Sequence, residues 1–290
     1  MGIITGGQPM RRFVSILAVV TALMALATAP AGAITGNYVE DTEHPFVGLV
    51  VFYDADGEFS HRCSGSLISP TVLLTAGHCT DGVESARVYF QQDAGANYDP
   101  ETQLDPVSGY PETCAPGTLG EKCATSDELY NLGFADFAGF PNTGDAGLVI
   151  LDQEIVLPEY GELPEVGALD PLFNKKGTQD RTVLASGYGL TYSSPVGVVS
   201  FRERLMAYGQ VINLNSANNG GFNVQTNGNG NGKGGTCSGD SGGPIFYPAD
   251  SNTIVAVTSF GLNSWCRGVD FAYRVDTQDV QDWIAEMTGE

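Results

Sequence analysis

The sequence predicts an all-β protein. Its 290 residues include 38 glycines and 15 prolines, which interrupt the chain too often for long helices. Its apolar residues, 42% of the total, fall mostly in short runs bounded by Gly, Asp, Asn and Pro, the pattern of buried strands joined by turns. Only the last segment carries a clear helical period. A chain of this length and apolar content can bury a sizeable core, as one unit of one or two subdomains.

Taken in order, residues 1–33 read as a targeting segment. Arg11 and Arg12 form a short basic region, Phe13 to Ala27 is apolar, and Ala31-Gly32-Ala33 has the small-x-small pattern accepted by signal peptidases. Met10 is a second possible start. The adjacent arginines fit the twin-arginine pattern poorly, and the apolar run is short and rich in small residues for a membrane span. Cleavage is expected after Ala33, leaving a mature domain 34–290 that begins at Ile34. Strands are expected at Phe46 to Phe52, Thr71 to Leu74, Gly147 to Leu151 and Thr253 to Val257, with a hairpin turn at Asp56-Gly57. Residues 93–146 and 215–235 read as surface loops, the second dominated by Asn and Gly. From Thr277 onward, Val280, Trp283, Ile284 and Met287 fall at helical spacing behind Asp276 or Thr277 as cap.

Charge and cysteine usage narrow the function classes. The chain has 34 Asp+Glu against 13 Lys+Arg, and loss of Arg11 and Arg12 with the targeting segment leaves a formal charge of about −23. Such a surface repels nucleic acid and anionic membranes, so neither is expected as a partner. Six cysteines in an exported chain are read as three disulfides.

Three segments carry the chemistry: Leu74-Thr75-Ala76-Gly77-His78-Cys79, Thr143-Gly144-Asp145-Ala146-Gly147-Leu148 and Thr236-Cys237-Ser238-Gly239-Asp240-Ser241-Gly242-Gly243-Pro244. A serine hydroxyl needs an adjacent imidazole to take its proton as it attacks a carbonyl, and a carboxylate can hold that imidazole in the right tautomer. Of the three histidines, His44, His61 and His78, the first two read as surface or structural residues. In the order His, Asp, Ser the chain resembles the trypsin/chymotrypsin family of secreted serine proteases. The resemblance runs from Ile34 to the final helix and implies two packed six-stranded antiparallel β-barrels with a C-terminal helix. The site then lies in the cleft between the barrels.

The resemblance implies His78 as general base, Asp145 as its orienting acid, Ser241 as nucleophile, and the N–H groups of Gly239 and Ser241 as the oxyanion hole. Asp136 is a nearby rival for Asp145, and the separation of 67 residues from His78 to Asp145 exceeds the family norm. Ser259-Phe260-Gly261 is similar to the family's Ser-Trp-Gly strand, which pairs with extended substrate. The disulfides implied are Cys63 with Cys79, Cys237 with Cys266 and Cys114 with Cys123. Ile34-Thr35-Gly36-Asn37 resembles the family's mature start, whose freed ammonium pairs with the acid before the nucleophile, here Asp240. In trypsin-like members an aspartate six residues before the nucleophile forms the pocket base; here that position is Gly235. Asp270 is placed to supply a carboxylate from the opposite wall, so a basic and an apolar preference are equally supported.

The expected partner is a protein or peptide substrate, the expected state a monomer, and no cofactor or metal is required. Asp54-Ala55-Asp56-Gly57 faintly resembles a calcium loop but lacks the remaining ligands, and a hairpin turn is expected there instead. Two other classes compete: an inactive homologue acting as a binding module, which usually loses His or Ser, and a serine esterase, which places the triad in another chain order.

Overall fold

The computed structural model describes residues 2, 34–94, 110, 123–174, 178–199, 202–229 and 233–289. Apart from Gly2, the expected targeting segment lies outside them, as does Cys114. Among the described residues no helix is long and apolar enough to cross a membrane. The strands in chain order are β1 (Thr35–Gly36), β2 (Val39–Glu40), β3 (Val47–Tyr53), β4 (Phe59–Leu67), β5 (Val72–Thr75), β6 (Ser85–Tyr89), β7 (Cys123–Ser126), β8 (Glu128–Asn131) and β9 (Gly147–Ile150). They continue with β10 (Thr182–Gly187), β11 (Tyr192–Ser194), β12 (Gly197–Val199), β13 (Leu205–Asn213), β14 (Asn223–Thr226), β15 (Gly234–Gly235), β16 (Pro244–Phe246), β17 (Ile254–Gly261) and β18 (Asp270–Arg274).

Two antiparallel sheets of seven strands result, and both close on themselves as six-stranded barrels. The first runs β7-β6-β3-β4-β5-β9-β8. Its two edge strands are halves of one bent run, because β7 ends at Ser126 and β8 begins at Glu128. The bend at Asp127 is held where the Glu128 N–H donates to Ser126 Oγ at 3.1 Å. The second runs β10-β16-β17-β18-β14-β13-β2, and a β10–β13 ladder closes it. The two-residue β2 is an addition beside β14 on one edge of β13.

Every residue of β3 is buried, which is why its sequence is a continuous apolar run rather than an alternation. One apolar cluster fills the first barrel, with Leu49, Leu73, Leu74 and Leu148, and extends to Phe246, Val257 and Ile284. A second lies inside the other barrel, with Val183, Leu205, Val211, Val224 and Ile245. Each such side chain contributes roughly 1.5–3 kcal/mol through removal from water. The C-terminal helix Gln278–Thr288 buries Val280 and Ile284, and Gly289 closes it in the left-handed conformation with its N–H on the Ala285 carbonyl. Thr277 takes the N-cap position; the Asp276 carboxylate instead accepts from the Leu169 N–H and pairs with Arg274.

Both segments read as loops contain strands. Residues 93–146 include β7 and β8, and residues 215–235 include β14 and β15. In β14 the sequence Asn-Val-Gln-Thr offers no apolar alternation. It is ordered by ladders on both sides, to β13 and β18, and by the Asn223 side chain, which donates to the Pro141 and Asn218 carbonyls. The Asp56-Gly57 turn forms as expected, with Asp54 Oδ1 accepting from the N–H groups of Asp56 and Glu58.

Candidate active site

The ladder between β5 and β9 sets the first half of the site. Thr75 pairs with Gly147, so the residues just beyond each strand, Ala76 to His78 and Asp145 to Ala146, lie side by side. His78 sits in the short helix Gly77–Thr80, fastened to β4 by the Cys63–Cys79 disulfide. The Asp145 carboxylate is fully buried and receives three donors. The His78 N–H reaches Oδ1 at 2.7 Å, the His78 ring Nδ1 lies 3.0 Å from Oδ2, and the Ser259 hydroxyl also bonds Oδ2. A ring that donates from Nδ1 keeps Nε2 unprotonated and able to accept a proton. Asp136 is exposed at φ +46° in the preceding loop, while Asp145 meets His78.

Ser241 lies on a tight turn between β15 and β16, gripped by both barrels. Its carbonyl accepts the Ser64 N–H of β4 at 2.8 Å, and the next residue, Gly242, donates to Thr258 of β17 at 2.7 Å. Gly242 has φ +76°, and a Cβ there would stand 2.0 Å from Thr75 Oγ1 and 2.5 Å from the Ser64 carbonyl. Only glycine lets the turn approach the strand that carries His78. Among the described residues the N–H groups of Gly239 and Ser241 have no acceptor, as an oxyanion site requires. Among the described residues no hydrogen bond joins the Ser241 hydroxyl to His78; contacts of this kind often tighten only when substrate binds.

A cavity of about 160 Å³ opens beside Ser241, lined by Thr236, Cys237, Phe260, Cys266 and Asp270 among others. The Cys237–Cys266 disulfide ties its walls together. Asp270 is 7% exposed, and its Oδ2 accepts the Thr236 N–H at 2.7 Å. Burial pushes its carboxyl up to about 6, against the lowering effect of the Thr236 bonds. A Cβ on Gly235 would lie 2.6 Å from Asp270 Oδ2, so the absence of a side chain at position 235 makes room for the carboxylate from the opposite strand. The Phe260 ring stacks on Phe271 at 4.6 Å.

Ile34 is fully buried in the second core, and Thr35 pairs with Gly235. Asp240 is fully buried, its oxygens accepting the N–H groups of Gly189 and Cys237 at 2.7 and 2.9 Å. Burial outweighs these bonds and pushes the carboxyl up to about 7. His61 is held by the Cys79 carbonyl and Ser60, and His44 by Asp41, in keeping with structural roles. Cys123 is disulfide-bonded, while Cys114 lies outside the described residues. Sequence reasoning overlooked Phe134 and Phe137, whose rings form a chain of contacts between His78 and Phe260. Their spacing in a glycine-rich loop carries no periodic signal.

The family model described as Trypsin matches residues 33–119 and 140–284. The chain belongs to the trypsin family. Members of this family to which it is similar include Brachyurin of Leptuca pugilator, 30% identical over 232 residues, covering 78% of this chain and 88% of that protein. Serine protease 1 of Drosophila melanogaster is 26% identical over 263 residues, covering 89% and 86%. The solved structure of HL collagenase shares the fold with a TM-score of 0.63 at 21% identity, over 89% of this chain and 99% of that one. As a trypsin-family chain, the protein is a serine endopeptidase that acts on protein or peptide substrates.

Proposed function

We propose that this trypsin-family chain is an exported endopeptidase working through His78, Asp145 and Ser241 and an acyl-enzyme intermediate. The observation that supports the reading best is the buried Asp145 carboxylate, with two of its three donors supplied by His78. Ser241 Oγ attacks the scissile carbonyl while His78 Nε2 takes its proton. The imidazolium so formed is stabilised by Asp145, and the oxyanion is received by the N–H groups of Gly239 and Ser241. His78 then gives its proton to the leaving amine, and water, activated by the same histidine, releases the acyl group. Asp270 presents a carboxylate to a basic side chain before the scissile bond, and the cavity of about 160 Å³ beside it also admits an apolar one.

Export itself matures the enzyme in this reading. Removal of residues 1–33 frees the Ile34 amine, and its ammonium pairs with buried Asp240 in the mature chain. The mature chain 34–290 acts as a monomer on protein substrates, without a cofactor or metal. The test is labelling of the chain beginning at Ile34 with a fluorophosphonate, together with casein cleavage, each compared with Ser241→Ala. Labelling and cleavage that both vanish in the variant support the reading. Labelling without cleavage points to an esterase, and no labelling to a binding module. A chain that carries an untrimmable Ser-Gly extension before Ile34 is expected to lose most activity; equal activity would sink the maturation proposal.

A further inference from the structure

Three consecutive peptide groups make up the turn that carries the N–H groups of Gly239 and Ser241, and they are held differently. In the Ser238–Gly239 peptide the carbonyl accepts the Leu190 N–H at 2.8 Å, and in the Asp240–Ser241 peptide the carbonyl accepts the Gly243 N–H at 2.8 Å. The peptide between them, Gly239–Asp240, keeps its N–H within the turn, on the Cys237 carbonyl at 3.0 Å. Its carbonyl reaches into the first barrel, where it accepts the Ser64 hydroxyl at 2.8 Å. The orientation of this middle peptide sets the angle between the two outer N–H groups. Gly239 has φ +95°, and without a side chain it lets the peptide rotate unless something holds it.

Ser64 supplies that hold from a rigid place. It is fully buried in β4, paired with Leu49 of β3 and adjacent to the Cys63–Cys79 disulfide. Its N–H donates to the Ser241 carbonyl at 2.8 Å, and its hydroxyl, besides donating to Gly239, accepts the Tyr188 N–H at 2.9 Å. One residue therefore fixes the carbonyls on both sides of Asp240. The fit is close, since a Cβ on Gly187 would stand 3.0 Å from Ser64 Oγ and one on Gly243 3.3 Å from Ser64 Cβ. Ser66 makes an instructive contrast. It is buried two residues along the same strand, yet its hydroxyl has no partner among the described residues.

We infer that Ser64 is a positioning residue for the oxyanion site, its hydroxyl holding the Gly239–Asp240 peptide so that the N–H groups of Gly239 and Ser241 converge on one oxygen. The inference rests on the protease reading above. Donors stabilise a developing oxyanion best when they are fixed before the charge appears. Because β4 also pairs with β5, the strand that leads to His78, the hydroxyl fixes the oxyanion donors relative to the general base. The Ile34 ammonium would act on the Asp240 carboxylate, whereas Ser64 acts on the backbone of the same turn from the opposite barrel.

The test compares Ser64→Ala with Ser66→Ala in the chain beginning at Ile34, by steady-state kinetics on one peptide and inhibition by the boronic acid analogue of that peptide. Ser64→Ala is expected to lower kcat about tenfold to a hundredfold while KM changes less than about threefold. The boronate, whose tetrahedral adduct puts an oxygen in the site, should weaken by about the same factor as kcat/KM. The acid-side midpoint of kcat/KM, which follows the general base, should not move, and Ser66→Ala should keep wild-type kcat. Unchanged kcat and boronate affinity in folded Ser64→Ala overturn the inference, as does a loss confined to KM or a shifted midpoint. Ser64→Gly removes the same donor and carries the same expectations if Ser64→Ala does not fold. If circular dichroism shows neither variant folded, Ser64 serves the fold alone and the inference falls. A wild-type chain that cleaves no peptide and takes no fluorophosphonate overturns the protease reading and this inference with it.

Discussion

If Asp270 receives basic side chains, the preference for them over apolar ones must titrate with Asp270. The carboxyl is pushed up to about 6 by burial in the cavity wall. A group of that pKa is about one-tenth ionised at pH 5 and about 99% ionised at pH 8. Ionisation creates the charge that a Lys or Arg side chain pairs with, so the preference rises with pH. The measurement is kcat/KM for two peptides differing only in Arg or Phe before the scissile bond, at pH values from 5 to 8. The ratio of the two cancels the protonation of His78, which both reactions share, and kcat/KM reports the free enzyme. The expected change is a rise of about tenfold with a midpoint near pH 6. Asp270→Ser is expected to lose cleavage after Arg, keep cleavage after Phe, and show no pH dependence in the ratio. A flat ratio in the wild type, or an unchanged profile in Asp270→Ser, would refute the placement of this carboxylate in the specificity pocket.

Other expectations follow from the same geometry. Ser241→Ala or His78→Ala should lower turnover by on the order of 10⁴ to 10⁶ with folding intact, and Asp145→Asn by roughly 10⁴ through the wrong imidazole tautomer, whereas Asp136→Asn stays near wild type; steady-state kinetics on one peptide decides among them. Ser259→Ala removes one of the donors on the buried Asp145 carboxylate and should reduce kcat on the order of tenfold to a hundredfold, the value of a hydrogen bond to a charged group. In the unprocessed chain carrying Ser241→Ala, Asp240 and Asp270 sit at about 7 and about 6 against an unperturbed 3.8. The folded state therefore holds more protons than the unfolded one between those limits, and stability falls as pH rises from about 4 to 7. Urea midpoints across that range should show the fall, and Asp240→Asn should flatten its upper part; parallel curves for the two chains would contradict it.

The segments that carry the proposed catalytic residues were legible because each is short and contiguous. Ser241 is embedded in glycines whose necessity the structure explains residue by residue, as at Gly242, where any side chain collides with Thr75. Asp145 could be chosen over Asp136 because an apolar run follows it directly, and that run is β9, whose register against β5 brings it to His78. The missed strands fail for a different reason. Nothing local in Asn223-Val224-Gln225-Thr226 favours a strand, and its polar residues are ordered only by neighbours distant in sequence. The Phe134 to Phe140 loop is equally silent, because its rings acquire meaning only when Phe260, more than a hundred residues onward, packs against them.

The pocket shows how a local pattern can mislead about chemistry while the three-dimensional pattern keeps it. Read by position alone, Gly235 removes the acid that defines cleavage after basic residues. In the folded chain the Thr236 N–H, next to that glycine, binds Asp270 Oδ2 from a residue 34 positions away, and the missing side chain is what makes room for it. Charge and glycine have exchanged places across one cavity. The cavity beside Asp270 has a volume of about 160 Å³, and protonation of the carboxyl removes the charge that a basic side chain would pair with. If this cavity receives the residue before the scissile bond, that exchange accounts for a basic and an apolar preference being supported together, with pH setting the balance between them.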